Sequence, residues 1–183
     1  MKKTMMAALA AMFVLGGVSA VQAADTETVT EAELQEIAKM DVESAEPKLF
    51  PWLRVEDHRR ALRMNGRVIA WTSYPEIVVI GDDYPVLQHA LRDWSDEQKR
   101  RSEDETENME NAVRAFVPSE PFYDSVVVDH WGRVDEQVVS FALSNGTYDG
   151  GTHPQHAITG VTLSTETGEP VSIDAVITSR DVL

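Results

Sequence analysis

The spacing of apolar and polar positions changes several times along the chain, and each change predicts an element. "HRRALRMNGRVIAWTSYPEIVVIGDD" predicts strands: Asn65-Gly66 is the dipeptide that most readily fills a two-residue type I′ turn, and it sits between "RRALRM" and "RVIAWTS". "EIVVI" predicts a further strand, divided from the second by Tyr74-Pro75. A helix is expected to start after "GDD", with Asp82 and Asp83 as acidic caps and Pro85 in the first turn. Tyr84, Leu87, Leu91 and Trp94 then recur at three- and four-residue steps and form one apolar stripe. "SDEQKRRSEDETENMEN" is almost wholly polar, and apolar residues return at Met109, Ala112, Val113 and Phe116. This predicts one long helix with a solvated middle, or two helices joined there.

From Pro121 the period becomes that of strands. "FYDSVVVDHW", "QVVSFALSN", "HAITGVTLST" and "VSIDAVI" are four short runs separated by "GRVDE", a glycine-rich loop and "ETGEP". Strands in a block with helix in the middle predict an α+β fold, an antiparallel β-meander packed with one long or two shorter central helices.

The first residues alter where this fold is expected to work. Lys2 and Lys3 precede an apolar run from about Met5 to Val18, and "VQA" ends at Ala23. That is the layout of a secretory signal peptide over residues 1–23, cleaved after Ala23. The run is shorter than the ~20 residues a membrane-spanning helix needs. The expected location is therefore periplasmic or extracellular, with no membrane span after cleavage. Residues 24–50 read as a polar leader and linker, in which Thr30 and Glu33 make a capping box before a short helix to about Met40.

Charge and cysteine content narrow the partners. The formal net charge is −15, and it becomes −17 once Lys2 and Lys3 leave with the signal peptide. Such a balance disfavours nucleic acid and anionic membrane surfaces and permits a cationic protein or metal cations. The chain has no cysteine. Thiol chemistry, disulfide staples and lipoprotein anchoring are excluded, and the core alone must hold the fold.

The densest candidate chemistry is "SNGTYDGGTHPQH", residues 144–156. Asp149, His153 and His156 are residue types that suit zinc, so a metal site is one alternative. Residues three apart on an extended segment point to opposite faces, however, and glycines with a proline also describe a plain strand-to-strand loop. No Gly-x-Ser-x-Gly elbow, His-Glu-x-x-His pair or phosphate-cradling glycine loop is present in the sequence.

"SYPEI", the helix after it, and "VVSFALSNGTYDGGTHPQHAITGVTLSTETGEPVSIDAV" together resemble a tandem pair of extracytoplasmic domains. That pair is found before the catalytic domain of a peptidoglycan deacetylase and forms the outer part of a lysozyme-sensing anti-sigma factor. Tyr148, Gly150, Gly151, His153 and Pro154 match the family's loop motif, with Thr152 where alanine is usual, and Thr167-Gly168 match a later turn. The resemblance covers roughly Val68 to Val176. It implies a first small α+β domain over 51–118 and the start of a second β-rich domain over 119–183, the latter truncated relative to the family. The deacetylase catalytic domain, with its aspartate and paired-histidine motifs, and the anti-sigma cytoplasmic segment are absent from the sequence given.

The resulting expectation is an exported, non-enzymatic envelope module without a cofactor. It would bind a lysozyme-like protein or cell-wall glycan through Tyr148, Asp149, Gly150, Gly151, His153 and Pro154. The alternative is a metal-dependent envelope hydrolase or deacetylase using Asp149, His153 and His156, or an accessory subunit of one.

Overall fold

The computed structural model describes residues 25–28, 30, 32 and 43–172. The predicted signal peptide over 1–23, nearly all of the predicted helix up to Met40, and most of the predicted strand over 171–177 lie outside these residues. The elements in chain order are β1 (Asp25–Thr28), β2 (Leu53–Met64), β3 (Arg67–Val79), α1 (Pro85–Ala115), β4 (Phe122–Val134), β5 (Val138–Tyr148) and β6 (Gln155–Ser164).

The six strands form one sheet in sequence order. All neighbours are antiparallel except β3 and β4, which run parallel. A parallel pair needs a long crossover, and α1 supplies it. Asn65 and Gly66 both take positive φ, 55° and 77°, as a type I′ turn requires. The meander and the helix are therefore as the patterning predicts, with one parallel contact inside it.

Two differences have a common physical origin. The β3–β4 ladder is short, pairing only Ala70–Ser73 with Phe122–Ser125. Past Ser73, β3 has a strand partner on one side only among the described residues, β2. An edge of this kind tolerates proline, so β3 runs unbroken through Tyr74-Pro75 where a division was expected, with Asp57 opposite Pro75. Backbone groups freed by the parting of β3 and β4 must still find partners. The Ile77 N–H donates to Ser95 Oγ of α1 at 3.2 Å. The Val128 N–H donates to Ser44 Oγ at 2.9 Å, and the Ala45 N–H donates to the Val128 carbonyl at 2.6 Å. The segment expected to be linker is thus stitched to β4, and Trp131 Nε1 adds a bond to the Ala45 carbonyl at 2.7 Å. Asp25–Thr28, in the expected leader, pairs with Arg60–Arg63 as an edge strand.

α1 is one continuous helix of 31 residues. Its N-cap is Tyr84, with no side-chain cap bond, so Asp82 and Asp83 do not cap it; Pro85 occupies the first turn as predicted. Leu87, Leu91, Met109 and Val113 are buried, and the stripe between them is continued by Ser95, Ser102 and Thr106. These hydroxyl residues hide inside the polar run. Ser102 Oγ donates to Thr72 Oγ1 at 2.9 Å, and Thr72 Oγ1 also lies 3.0 Å from Thr106 Oγ1. The outward face carries ion pairs such as Arg100 with Glu97 and Asp104.

The boundary expected at 118/119 falls between α1 and β4, and the sheet crosses it. So does the main core: Leu53, Val55, Ile77, Val79, Leu87 and Leu91 pack with Val126, Val128, Val139, Phe141, Leu143 and Leu163. A smaller cluster joins Leu62, Ile69 and Ala70 to Met109, Val113 and Phe122 at the other end of the helix. Met109 and Phe122 of that second cluster also reach the floor of the candidate site.

Candidate functional site

β5 and β6 are paired from Val138↔Ser164 to Thr147↔Gln155, so residues 149–154, after Tyr148 at the end of β5, form the closing loop of a hairpin. Asp149 Oδ1 accepts the Gly151 N–H at 3.2 Å, the local bond by which Asp favours turns. Gly150 has φ +91°, and a Cβ built on it would stand 2.9 Å from Phe122 Cε1. Both the backbone conformation and the close approach demand glycine here. The loop is therefore folded down onto the first residue of β4.

Between this loop and the C-terminal half of α1 lies a pocket of about 410 Å³. Met109, Ala112 and Phe122 give it an apolar floor; Tyr123 and Tyr148 line its wall; Arg101, Glu105, Asn108, Asp124, Thr147 and Asp149 bring polar groups to it. Aromatic stacking continues from this wall on the sheet face turned away from α1. Trp71 stacks on Tyr123 at 5.1 Å between ring centroids, and Tyr123 meets Tyr148 at 6.1 Å.

Of the residues expected at a site, Tyr148 and Asp149 line this pocket. Gly150 and Gly151 shape the loop, and His153 and Pro154 are exposed in it. His156 stands on β6 opposite Gly146; its Nδ1 lies 3.4 Å, and Tyr123 Cε2 3.5 Å, from where a Gly146 side chain would begin. Asp149, His153 and His156 do not converge: among the described residues, the cluster whose three ligand atoms lie within 4.8 Å of one another is Glu56, His58 and Glu76. A second, more open pocket of about 560 Å³ lies between Trp52, Tyr84 and the β4–β5 turn, and contains none of the loop residues.

Asp124 is the group that sequence patterning passed over. It alternates with Phe122 and Val126 on β4 and is only 4% exposed. A charged residue at the apolar phase of a strand is the signal that identifies it. Burial raises its carboxyl above the ordinary range, Arg101 Nη2 at 3.4 Å pulls it back, and Glu105 adds to the rise. Arg101, Glu105 and Asn108 share one helix face at three- and four-residue steps, a pattern masked by the charges around them.

The sign of a pH effect follows. A carboxyl that holds its proton more tightly when folded contributes stability below its unfolded pKa of about 4, and that contribution is lost as pH rises through the higher folded value. Asp124→Asn does not titrate. Its urea midpoint is therefore expected to gain on that of the wild-type protein as pH rises from about 4 to 7. A difference in midpoint that stays constant over this range would contradict the assignment.

A scan against protein-family models finds none that matches the chain, and a search of curated proteins likewise returns no match, so the site stands on its own geometry.

Proposed function

We propose that this chain is an exported, non-enzymatic cell-envelope module that binds cell-wall glycan in the pocket beside Tyr148 and Asp149. The observation that carries the proposal is the pocket itself. Its size falls within the range of small-ligand sites, and it joins an apolar, aromatic surface to a few convergent polar groups. Sugars present apolar C–H faces edged by hydroxyls. Tyr148 and Tyr123 suit the faces, while Asp124, Asn108, Arg101 and Asp149 suit the hydroxyls. The resemblance of the Tyr148–Pro154 loop to envelope domains supports the same reading, as does the signal-peptide layout of residues 1–23.

The glycan reading is tested by titrating the protein with soluble peptidoglycan fragments. Tyr148→Ala is expected to weaken binding by about tenfold or more, the scale of losing an aromatic anchor in a small site. Binding is expected to survive a rise in salt, because it does not depend on long-range charge. No measurable binding, or unchanged binding by Tyr148→Ala, would reject the proposal.

The net charge of −15 favours a second reading, a cationic lysozyme-like partner steered to an acidic surface. That partner would bind strongly at low salt and lose most of its affinity at high salt, in contrast to glycan. A hydrolytic role remains the alternative to both. For it, Asp124, a buried carboxyl in a pocket beside Arg101 and Glu105, is the residue with the perturbed protonation that catalytic groups often show.

A further inference from the structure

We infer that Glu56, His58 and Glu76 form a divalent-metal site, of the kind that takes Zn²⁺, on the β2–β3 ladder. Glu56 and His58 are two apart on β2 and so project from the same face. Glu76 is the directly opposed partner of Glu56 on β3. One imidazole nitrogen and two carboxylate oxygens thereby lie within 4.8 Å of one another. An imidazole with two carboxylates is a donor set suited to zinc, and three protein ligands leave a fourth position open for water or another group.

The surroundings favour a cation at this point. Two glutamates facing each other across a ladder repel. The repulsion is offset by His58 Nε2, 2.7 Å from Glu76 Oε2, and by Arg54, which meets Glu56 Oε1 at 2.5 Å. The side chains of Glu56, His58 and Glu76 are 41%, 39% and 42% exposed, so an ion can reach them from solvent. The Arg54–Glu56 pair is still more open at Arg54, and an exposed pair of this kind holds by no more than about 1 kcal/mol. It competes weakly with a metal. Tetrahedral zinc with ligand bonds of about 2.0–2.1 Å needs its donors roughly 3.3 Å apart. The His58–Glu76 contact must open by a fraction of an ångström, and Glu56 must swing in from its arginine. Both moves are side-chain rotations on an otherwise fixed ladder. His58 is held for them by stacking on Tyr74, with ring centroids 4.9 Å apart and planes inclined by 17°.

This site lies apart from the glycan pocket and shares no residue with it, so either can fail without the other. The test is calorimetric titration of the full chain with ZnCl₂, alongside His58→Ala and Glu76→Gln, with circular dichroism confirming that each variant is folded. The expected result is one Zn²⁺ per chain, with affinity lowered at least about tenfold in both variants, while His153→Ala binds as the wild type does. Glu56→Gln is the substitute should either variant fail to fold. No saturable binding below about 100 μM, or affinity retained in any folded variant of the three ligands, overturns the assignment.

Discussion

Replacing Phe141 by alanine is expected to cost about 3–5 kcal/mol, and to lower the stability of the whole chain in a single unfolding step. Phe141 is 2% exposed on β5. Its ring meets Trp94 of α1 edge-on at 5.4 Å, with planes at 77°, and Trp131 of β4 at 5.4 Å, with planes at 52°. Truncation removes both aromatic contacts and leaves a cavity between three elements that cannot collapse independently. The same cluster contains Leu53 and Val79 from one side of residue 118 and Val139 and Leu163 from the other. A shared core makes the two parts one cooperative unit. Urea unfolding followed by helix dichroism and by tryptophan fluorescence should therefore give coincident curves, both shifted together in Phe141→Ala. Two separated transitions, with only one displaced, would mean that the parts unfold independently.

Trp71→Ala should be comparably severe, about 3–5 kcal/mol, and it should also damage the proposed glycan pocket. Trp71 is 1% exposed in the middle of β3 and packs with Ala61 and Val127. It stacks on Tyr123 on the sheet face turned away from α1, so its removal withdraws support from Tyr123 and, through it, from Tyr148 at the pocket's edge. The indole has one weakness. Its Nε1 is buried and finds no hydrogen-bond partner among the described residues. Leaving such a donor unpaired costs about 1–3 kcal/mol. Trp71→Phe keeps an aromatic ring on Tyr123 and removes the unpaired N–H, so it should cost less than half of what Trp71→Ala costs. Glycan affinity should follow the same order. Equal losses in the two variants would show that a phenyl ring cannot replace the indole here and would overturn this expectation.

Much of the fold is legible in the chain because it is set by near neighbours. Asn65-Gly66 dictates its turn through the positive φ angles it permits, Pro85 starts the helix through its fixed φ, and Leu87, Leu91, Met109 and Val113 mark the inward helix face by spacing alone. Alternation along 122–148 likewise marks the strands, and the glycines of 150–151 mark the loop. Asp149 is marked by its residue type beside those glycines, whereas Tyr148 is marked by the loop's resemblance to the envelope domains. The ligand-like residues around them are not marked, because Arg101, Glu105 and Asn108 sit in a run whose charges look uniformly solvated until α1 is laid against β4.

What tertiary structure decided depends on which strands become neighbours. The crossover by α1 makes β3 and β4 parallel and pairs them over only four residues. From that short ladder follow the tolerated Pro75, the buried Ser95 under Ile77, the capture of Ser44 and Ala45 by Val128, and a core shared across residue 118. Spacing within a segment carries no record of where another segment's unpaired N–H or carbonyl will fall. The same holds for Glu56, His58 and Glu76: the sequence sets two of them on one strand face, and only the β2–β3 register brings the third across from them.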